Sequence, residues 1–160
     1  MRGVLRRKER ALSQEEALQI IRDAEYGVLA TASKEGVPST TALNHALLDD
    51  GCLYFHSSIE GEKIANIREN PQVSYFVAGP AQVVFSQFST VFSSAVVHGT
   101  MTEIKDIDPK LEALQKIAAY FSDGTVSQKQ VQEYIDTYLP KVAVLKLTPE
   151  HITGKARLSG

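Results

Sequence analysis

Two short turn sequences in the first third of the chain constrain its fold more than any other feature. Lys34–Gly36 separates an extended run at residues 26–33 from a second run at 38–48, and Asp49–Gly51 separates that run from Cys52–Ser57. An Asp-Gly pair between two apolar runs is a strong indicator of a β-hairpin. The sequence therefore predicts three consecutive antiparallel strands.

Residues that start and stop helices are also recognisable in the sequence. Ser13 and Glu16 have the spacing of a capping box, in which each side chain accepts from a free backbone N–H. Pro71 disfavours helical geometry at the preceding residue, and Asp108 is an N-cap residue before a proline. The sequence predicts four helices, at residues 13–25 and 61–70 and two within 108–140.

Further strand-like runs occur at residues 72–78, 81–85, 95–104 and 142–147. Residues 86–93 fit either a loop over a planar ligand or a strand of alternating polar and apolar residues. Sequential antiparallel strands with interspersed helices favour an α+β fold over a doubly wound parallel sheet. We predict a barrel-like sheet of about six strands. All 160 residues are expected to form one domain, with residues 108–140 as a helical insertion.

Composition excludes several functional classes. A net charge of -2 and 22% charged residues are ordinary for a globular protein, so we expect neither a nucleic-acid nor a membrane partner. Cys52 is the single cysteine, which rules out an intramolecular disulfide. No apolar run approaches the roughly 20 residues that cross a bilayer, and no signal-peptide core follows the basic start of the chain. A cytoplasmic location is the expectation.

His45 and His56 form a candidate ligand pair. If Asp50 and Gly51 are the two central residues of a hairpin turn, the register sets His45 opposite His56 on one face of the sheet. A three-residue loop would instead place the two side chains on opposite faces. Zinc needs three or four ligands, and no His-x-x-x-His or Cys-x-x-Cys motif is present, so no metal site is predicted.

The junction between the third strand and the second helix has the residues of an anion site. Residues 56–63 combine hydroxyl groups, a glycine and Lys63 where free N–H groups and the helix dipole would face a ligand. The same residue types also serve as helix caps without binding anything. No Walker or Gly-x-Ser-x-Gly motif occurs in the sequence.

An ordered set of short motifs resembles the flavin-binding split-barrel proteins, the pyridoxamine 5′-phosphate oxidase-like superfamily, and within it the nitroimidazole-resistance (Nim-type) branch. The resemblance covers most of residues 6–105 and includes the closing Ile152–Lys155. Its motifs are Tyr26–Thr31, Gly36–Pro38, Asn44, Asp50–Gly51, Tyr54–Ser57, Gly61 with Lys63, and Asn70–Val73.

The resemblance implies a six-stranded split barrel that forms a homodimer, with FMN, less often FAD, at the subunit interface. It places Thr41, Ala42, Leu43 and Asn44 along the isoalloxazine ring and assigns His56, Ser57 and Lys63 to the ribityl phosphate. Ser94 matches a position that approaches the flavin. The family often has Arg directly before the lysine, where this chain has Glu62. That acidic residue would weaken phosphate binding unless it faces solvent or pairs with a basic residue such as Arg68.

The implied function is that of an FMN-dependent oxidoreductase that reduces nitroaromatic compounds such as 5-nitroimidazoles to amines, with His56 as the candidate catalytic residue. One alternative is a flavin- or haem-binding protein without redox catalysis, with the His45/His56 pair or His151 as an axial ligand. A pyridoxamine-phosphate-oxidase-related enzyme is a further alternative. We do not identify the C-terminal basic and aromatic residues that the oxidase activity needs. A dimer that has lost its cofactor is the last possibility, and Glu62 favours it.

Overall fold

The computed structural model describes residues 6–158, so the first five residues of the basic start lie outside it. Within this range the chain forms eight strands and four helices. In chain order they are β1 Ala11–Leu12, α1 Gln14–Asp23, β2 Gly27–Ala32, β3 Pro38–Leu43, β4 Ala46–Leu47, β5 Leu53–Ser58, α2 Glu62–Glu69, β6 Gln72–Val84, β7 Ser89–Ile104, α3 Ile107–Tyr120, α4 Gln128–Tyr138 and β8 Val142–Arg157.

The predicted helix caps are largely confirmed. The Glu16 N–H donates to Ser13 Oγ at 3.3 Å, and the Glu16 carboxylate accepts from the Ser13 N–H at 2.7 Å. Ser127 caps α4 in the same way. The prediction for α3 was wrong by two residues, because Asp106 and not Asp108 takes the N-cap position.

The sheet closes on itself through a two-residue bend. Its strand order is β3-β2-β6-β7-β8-β5-β4, with β1 paired to β8. The strands β3 and β4 lie at opposite ends of this path, yet only Asn44 and His45 separate them in the chain. The two ends are therefore held together, which gives the predicted antiparallel α+β split barrel. The sheet has eight strands rather than six. Two of the eight, β1 and β4, are only two residues long, and without them the count is six.

The second hairpin has a three-residue loop, which is the stated alternative to the register that sets His45 opposite His56. The Leu48 N–H donates to the Cys52 carbonyl at 3.1 Å, and the Gly51 N–H donates to the Leu48 carbonyl at 2.9 Å. Gly51 has a φ of +75°, which favours glycine. This loop moves the pairing by one residue, so Ala46 pairs with Tyr54. His45 and His56 consequently do not lie opposite each other.

Three strands are longer than predicted. The gap between the predicted runs 72–78 and 81–85 is only a bulge at Gly79–Pro80, and β6 continues to Val84. A short 3-10 turn at Phe85–Gln87 leads into β7, so most of the ambiguous segment is strand. The tail after Leu147 is also strand, because β8 pairs with β7 as far as Arg157.

Two apolar clusters stabilise this arrangement. The larger cluster fills the barrel beneath α1 and α2, and includes Leu29, Phe55 and Tyr75. The smaller cluster lies between the α3–α4 pair and the outer side of β4, β5 and β8. None of the helices within residues 6–158 has both the length and the apolar character needed to cross a lipid bilayer.

Candidate functional site

His45 anchors the bend that closes the barrel. Its side chain is fully buried, with Nε2 2.7 Å from the Ile21 carbonyl oxygen and Nδ1 2.9 Å from the Tyr75 hydroxyl. A carbonyl oxygen only accepts, so Nε2 carries the proton. Burial lowers the pKa of His45, and the bond to Ile21 partly offsets this effect. Both ring nitrogens face protein groups inside the barrel, so His45 is a structural residue and does not form a haem or metal ligand pair with His56.

The strand β3 presents an open edge next to this bend. The Ser33 N–H donates to the Val37 carbonyl at 2.9 Å, which fixes the hydrogen-bonded pairs of the β2–β3 ladder. By alternation the Thr41 backbone bonds to Leu29, whereas the N–H and C=O of Ala42 point away from β2. None of the described strands pairs with that side of β3. Ala42 therefore has free backbone groups for a ligand.

The four predicted isoalloxazine contacts are not equivalent. Thr41 lies opposite the buried Leu29, and Leu43 packs against the main cluster, so both side chains face the barrel interior. Ala42 faces outward. The Asn44 amide donates to the Glu25 carbonyl at 2.7 Å, and this bond ties the bend to the segment before β2.

Lys63 lies in the first turn of α2, directly after β5. The N-cap residue is Gly61, which has a φ of +117° and supplies no side-chain acceptor, so the first N–H groups of the helix lack a side-chain cap. No hydrogen bond or ion pair to Lys63 occurs among residues 6–158. Glu62 is exposed and does not pair with Arg68, because Arg68 makes two 2.9 Å hydrogen bonds to Glu103. Of the two ways in which Glu62 would not weaken phosphate binding, facing solvent and pairing with Arg68, the structure shows the first.

His56 and Ser57 point to opposite faces of β5. His56 lies opposite Val144, which belongs to the smaller cluster, and Ser57 lies opposite Ala143, which belongs to the larger one. His56 is exposed at the border of a cavity of about 260 Å³ between β5, β8 and the α3–α4 pair. The other residues lining the cavity are apolar or aromatic: Leu114, Ile117, Ala118, Phe121, Tyr134, Ile135, Tyr138 and Val142.

Ser94 lies on the outer face of the sheet. Its hydroxyl donates to the Lys155 carbonyl at 3.5 Å, and its neighbour Ala95 is buried inside the barrel. Residues that pair across strands lie on the same face of a sheet, and so do residues two apart in one strand. Ala42 pairs with Val28, Val28 with Phe76 and Phe76 with Val96. Val96 is two residues from Ser94, so Ala42 is on the same outer face as Ser94. The candidate residues thus fall at two places: Ala42 and Ser94 share the outer face of the sheet, and Lys63 lies at the β5–α2 junction.

Sequence analysis missed two sets of polar contacts, one at the end of β3 and one in the loop between β4 and β5. Tyr75 donates to the Leu43 carbonyl at 2.7 Å, a contact between distant residues that no local pattern reveals. Asp50 lies 2.9 Å from Lys146 and accepts from the Tyr54 hydroxyl at 2.8 Å. Partial burial would raise the pKa of Asp50, but the bonds from Lys146, Tyr54 and Cys52 lower it to about 2. Among the described residues no group of three or more His, Cys, Asp or Glu could hold a metal ion.

The fold is a split barrel with an open edge at β3, and a sequence comparison identifies the family. The model of the pyridoxamine 5′-phosphate oxidase family matches residues 13–156. This chain belongs to that family.

Several solved structures are similar. A candidate 5-nitroimidazole antibiotic resistance protein from Bacteroides thetaiotaomicron is 25% identical, with a TM-score of 0.70 over 91% of this chain and 85% of that one. An FAD-binding protein from Mesorhizobium loti is 26% identical, with a TM-score of 0.63 over 91% and 93%. The flavocytochrome Anf3 from Azotobacter vinelandii has a TM-score of 0.72 over 98% and 73%, and its 21% identity shows the fold alone. No curated protein matched the sequence.

Proposed function

We propose that this protein is a flavin-dependent oxidoreductase that binds FMN and reduces small nitroaromatic compounds. Family membership and the FAD-binding protein from Mesorhizobium loti support a flavin as the cofactor. The similarity to the Bacteroides thetaiotaomicron protein supports a nitroaromatic substrate. FAD is the alternative cofactor.

The uncapped N-terminus of α2 with Lys63 in its first turn is the observation that carries this proposal. Free N–H groups at a helix start and an ammonium group without a partner among the described residues are the donors that a terminal phosphate requires. The donor set therefore fits FMN. Glu62 is the residue that opposes it, because its carboxylate repels the phosphate.

Residues of the outer face and the β3 edge would orient the ring system. The free N–H and C=O of Ala42 match the donors and acceptors along the polar edge of an isoalloxazine, and Ser94 offers a hydroxyl on the same face. A bound flavin supplies hydride or electron transfer, and the protein supplies binding and orientation.

The cavity beside His56 is the candidate substrate pocket. Its volume of about 260 Å³ is just below the usual range for ligand pockets, which favours a substrate with a single ring. The aromatic side chains of Phe121, Tyr134 and Tyr138 would pack against that ring. The His56 imidazole would donate to an oxygen of the nitro group or deliver a proton to it.

The first experiment is an absorption spectrum of the purified protein with and without added FMN, followed by FMN titration of Lys63→Gln. We expect flavin bands in the wild type and a dissociation constant raised at least about tenfold in the variant, because a charge-assisted contact is lost. Lys129→Gln, on the exposed side of α4, is the matched control and should bind normally. A protein that ignores FMN would refute the proposal.

The role of His56 is tested separately with His56→Ala. If His56 acts on the substrate, kcat/KM for a 5-nitroimidazole should fall about 100-fold while the dissociation constant of FMN changes little. If it contacts the phosphate instead, FMN affinity should fall. A wild type that binds FMN but reduces no nitroaromatic compound would be a flavin-binding protein without this activity.

A further inference from the structure

A second cavity lies beside the candidate substrate cavity, in the space between α3 and α4. Its volume is about 440 Å³. It shares four lining residues with the cavity beside His56, namely Ala118, Phe121, Tyr134 and Ile135. Cavities that share this many side chains are adjacent, so the two are parts of one extended site. We call the second one the interhelical cavity.

Ala118 has the smallest side chain at the junction of the two cavities. Its neighbours on the same face of the helix are Leu114, four residues before it, and Phe121, three residues after it. Both are large, so the single methyl group of Ala118 leaves space between them. A longer side chain at this position would occupy that space, and Ala118 therefore keeps the two cavities connected.

The interhelical cavity exposes large apolar side chains to water. Phe121, Val126 and Tyr134 are 43%, 50% and 60% exposed, and all three line it. Val131 and Ile135 of α4 complete its apolar wall. Clustered apolar exposure marks a binding surface, and a concave one suits a small molecule. An apolar group placed here would remove these side chains from water, which is favourable.

The charges around the two cavities restrict what that group can be. Asp123 is the only acidic residue among the described residues that line them, and neither lining includes Lys or Arg. The Asp123 carboxylate accepts from the Thr125 N–H at 2.9 Å and from its hydroxyl at 2.6 Å. A carboxylate would repel an anionic group of a ligand, and no lysine or arginine of the lining would pair with one. The interhelical cavity is therefore suited to a neutral chain.

We propose that the two cavities together bind a molecule with one aromatic ring and a neutral apolar chain. The ring lies beside His56, and the chain passes Ala118 into the interhelical cavity, where it contacts Val131 and Ile135. The identity of this molecule as the substrate rests on the proposed function, and the substrate class then becomes nitroaromatic compounds with an alkyl substituent. The chain site itself is built by α3 and α4 and needs no flavin.

Isothermal titration calorimetry of the full chain, without added flavin, tests the chain site. The ligands are 1-methyl-, 1-ethyl-, 1-propyl- and 1-butyl-5-nitroimidazole, which differ only in the length of the chain. Each added methylene should lower the dissociation constant about threefold, because it transfers apolar surface from water into the interhelical cavity. Equal dissociation constants across the series would overturn the proposal.

Ala118→Leu is the variant that separates this cavity from other apolar surfaces. The leucine side chain should fill the junction, so the butyl compound should bind no more tightly than the methyl compound. Ala119→Leu is the matched control, because Ala119 is exposed and lines neither of the two cavities. This control should keep the dependence on chain length. Thermal melting followed by circular dichroism would show that both variants remain folded. A dependence on chain length that persists in folded Ala118→Leu would place the chain elsewhere and overturn the proposal.

Turnover by the FMN-loaded protein distinguishes this inference from the proposed function. If both hold, kcat/KM should rise with chain length in the order of the binding constants. Binding that follows chain length without any reduction would support the chain site and refute the oxidoreductase activity. Reduction of all four compounds with equal kcat/KM and equal binding would support the activity and overturn the chain site.

Discussion

At the scale of single residues, the two histidines near the bend have opposite roles. His45 is fully buried, with Nε2 bonded to the Ile21 carbonyl and Nδ1 2.9 Å from the Tyr75 hydroxyl, whereas His56 is exposed beside a cavity. His45→Ala should lower the free energy of unfolding by about 2–4 kcal/mol, because it creates a cavity and removes the buried hydrogen bond from Nε2 to the Ile21 carbonyl. Urea denaturation measures this change. His56→Ala is the control and should cost less than about 0.5 kcal/mol; equal effects would contradict the assignment.

The burial of His45 also predicts how stability depends on pH. Its pKa lies below the ordinary value of 6.5, chiefly because burial disfavours the charged form. The unfolded chain therefore binds a proton at a higher pH than the folded protein does, and stability falls as the pH drops below about 6.5. We expect a slope of up to about 1.4 kcal/mol per pH unit in wild-type denaturation below about pH 6.5. A His45→Gln variant with the same slope would contradict this origin.

The two histidines show what sequence reasoning could and could not supply at this scale. The hairpin was predicted from Asp50 and Gly51, and its three-residue loop was the stated alternative. The loop length depends on hydrogen bonds at Leu48 and on the left-handed Gly51, which an Asp-Gly pair permits but does not determine. One residue of register then decides which histidine is buried. The partners of His45, Ile21 and Tyr75, come from distant parts of the chain.

At the scale of elements, Gly154 joins three segments. A Cβ at this position would lie 2.8 Å from the Ala17 Cβ of α1 and 2.9 Å from the Leu12 Cβ of β1. Gly154→Ala should therefore push α1 and β1 away from β8 and cost about 1–3 kcal/mol of unfolding free energy. Chemical denaturation measures the loss. Thr153→Ala, at the neighbouring position facing away from the core, should change stability by less than about 0.5 kcal/mol. If Gly154→Ala left the unfolding free energy unchanged, α1 and β1 could move away from β8 without cost, which would contradict this prediction.

Helix α1 and strand β8 show why some elements could be predicted from the sequence and others could not. The capping box of α1 is a local interaction between Ser13 and Glu16, so the sequence contains all of it. The second half of β8 contains Pro149 and Gly154, which are typical of loops. It is a strand because β7 pairs with it along its whole length. Tertiary pairing overrides local preference there, as it also does across Gly79–Pro80 of β6.

At the scale of the whole molecule, the barrel and the α3–α4 pair have unequal stability. The barrel is continuous from β2 through β8, and its cluster contains most of the fully buried side chains. In contrast, Ile135 is the one buried residue of α4, and a cavity lies between this helix and the sheet. Few buried contacts and open space beneath a helix favour local opening.

This difference gives a prediction for native-state hydrogen exchange. Backbone amides of α4 should exchange through openings that cost at least about 2 kcal/mol less than those of β6 and β7, because α4 can separate without breaking the sheet. The cavity beside His56 would then be reached by movement of α4, and a nitroaromatic compound bound there should slow exchange in α4 more than in α1. Protection of α4 equal to that of β7 would contradict independent opening and would require the substrate to enter from the sheet side.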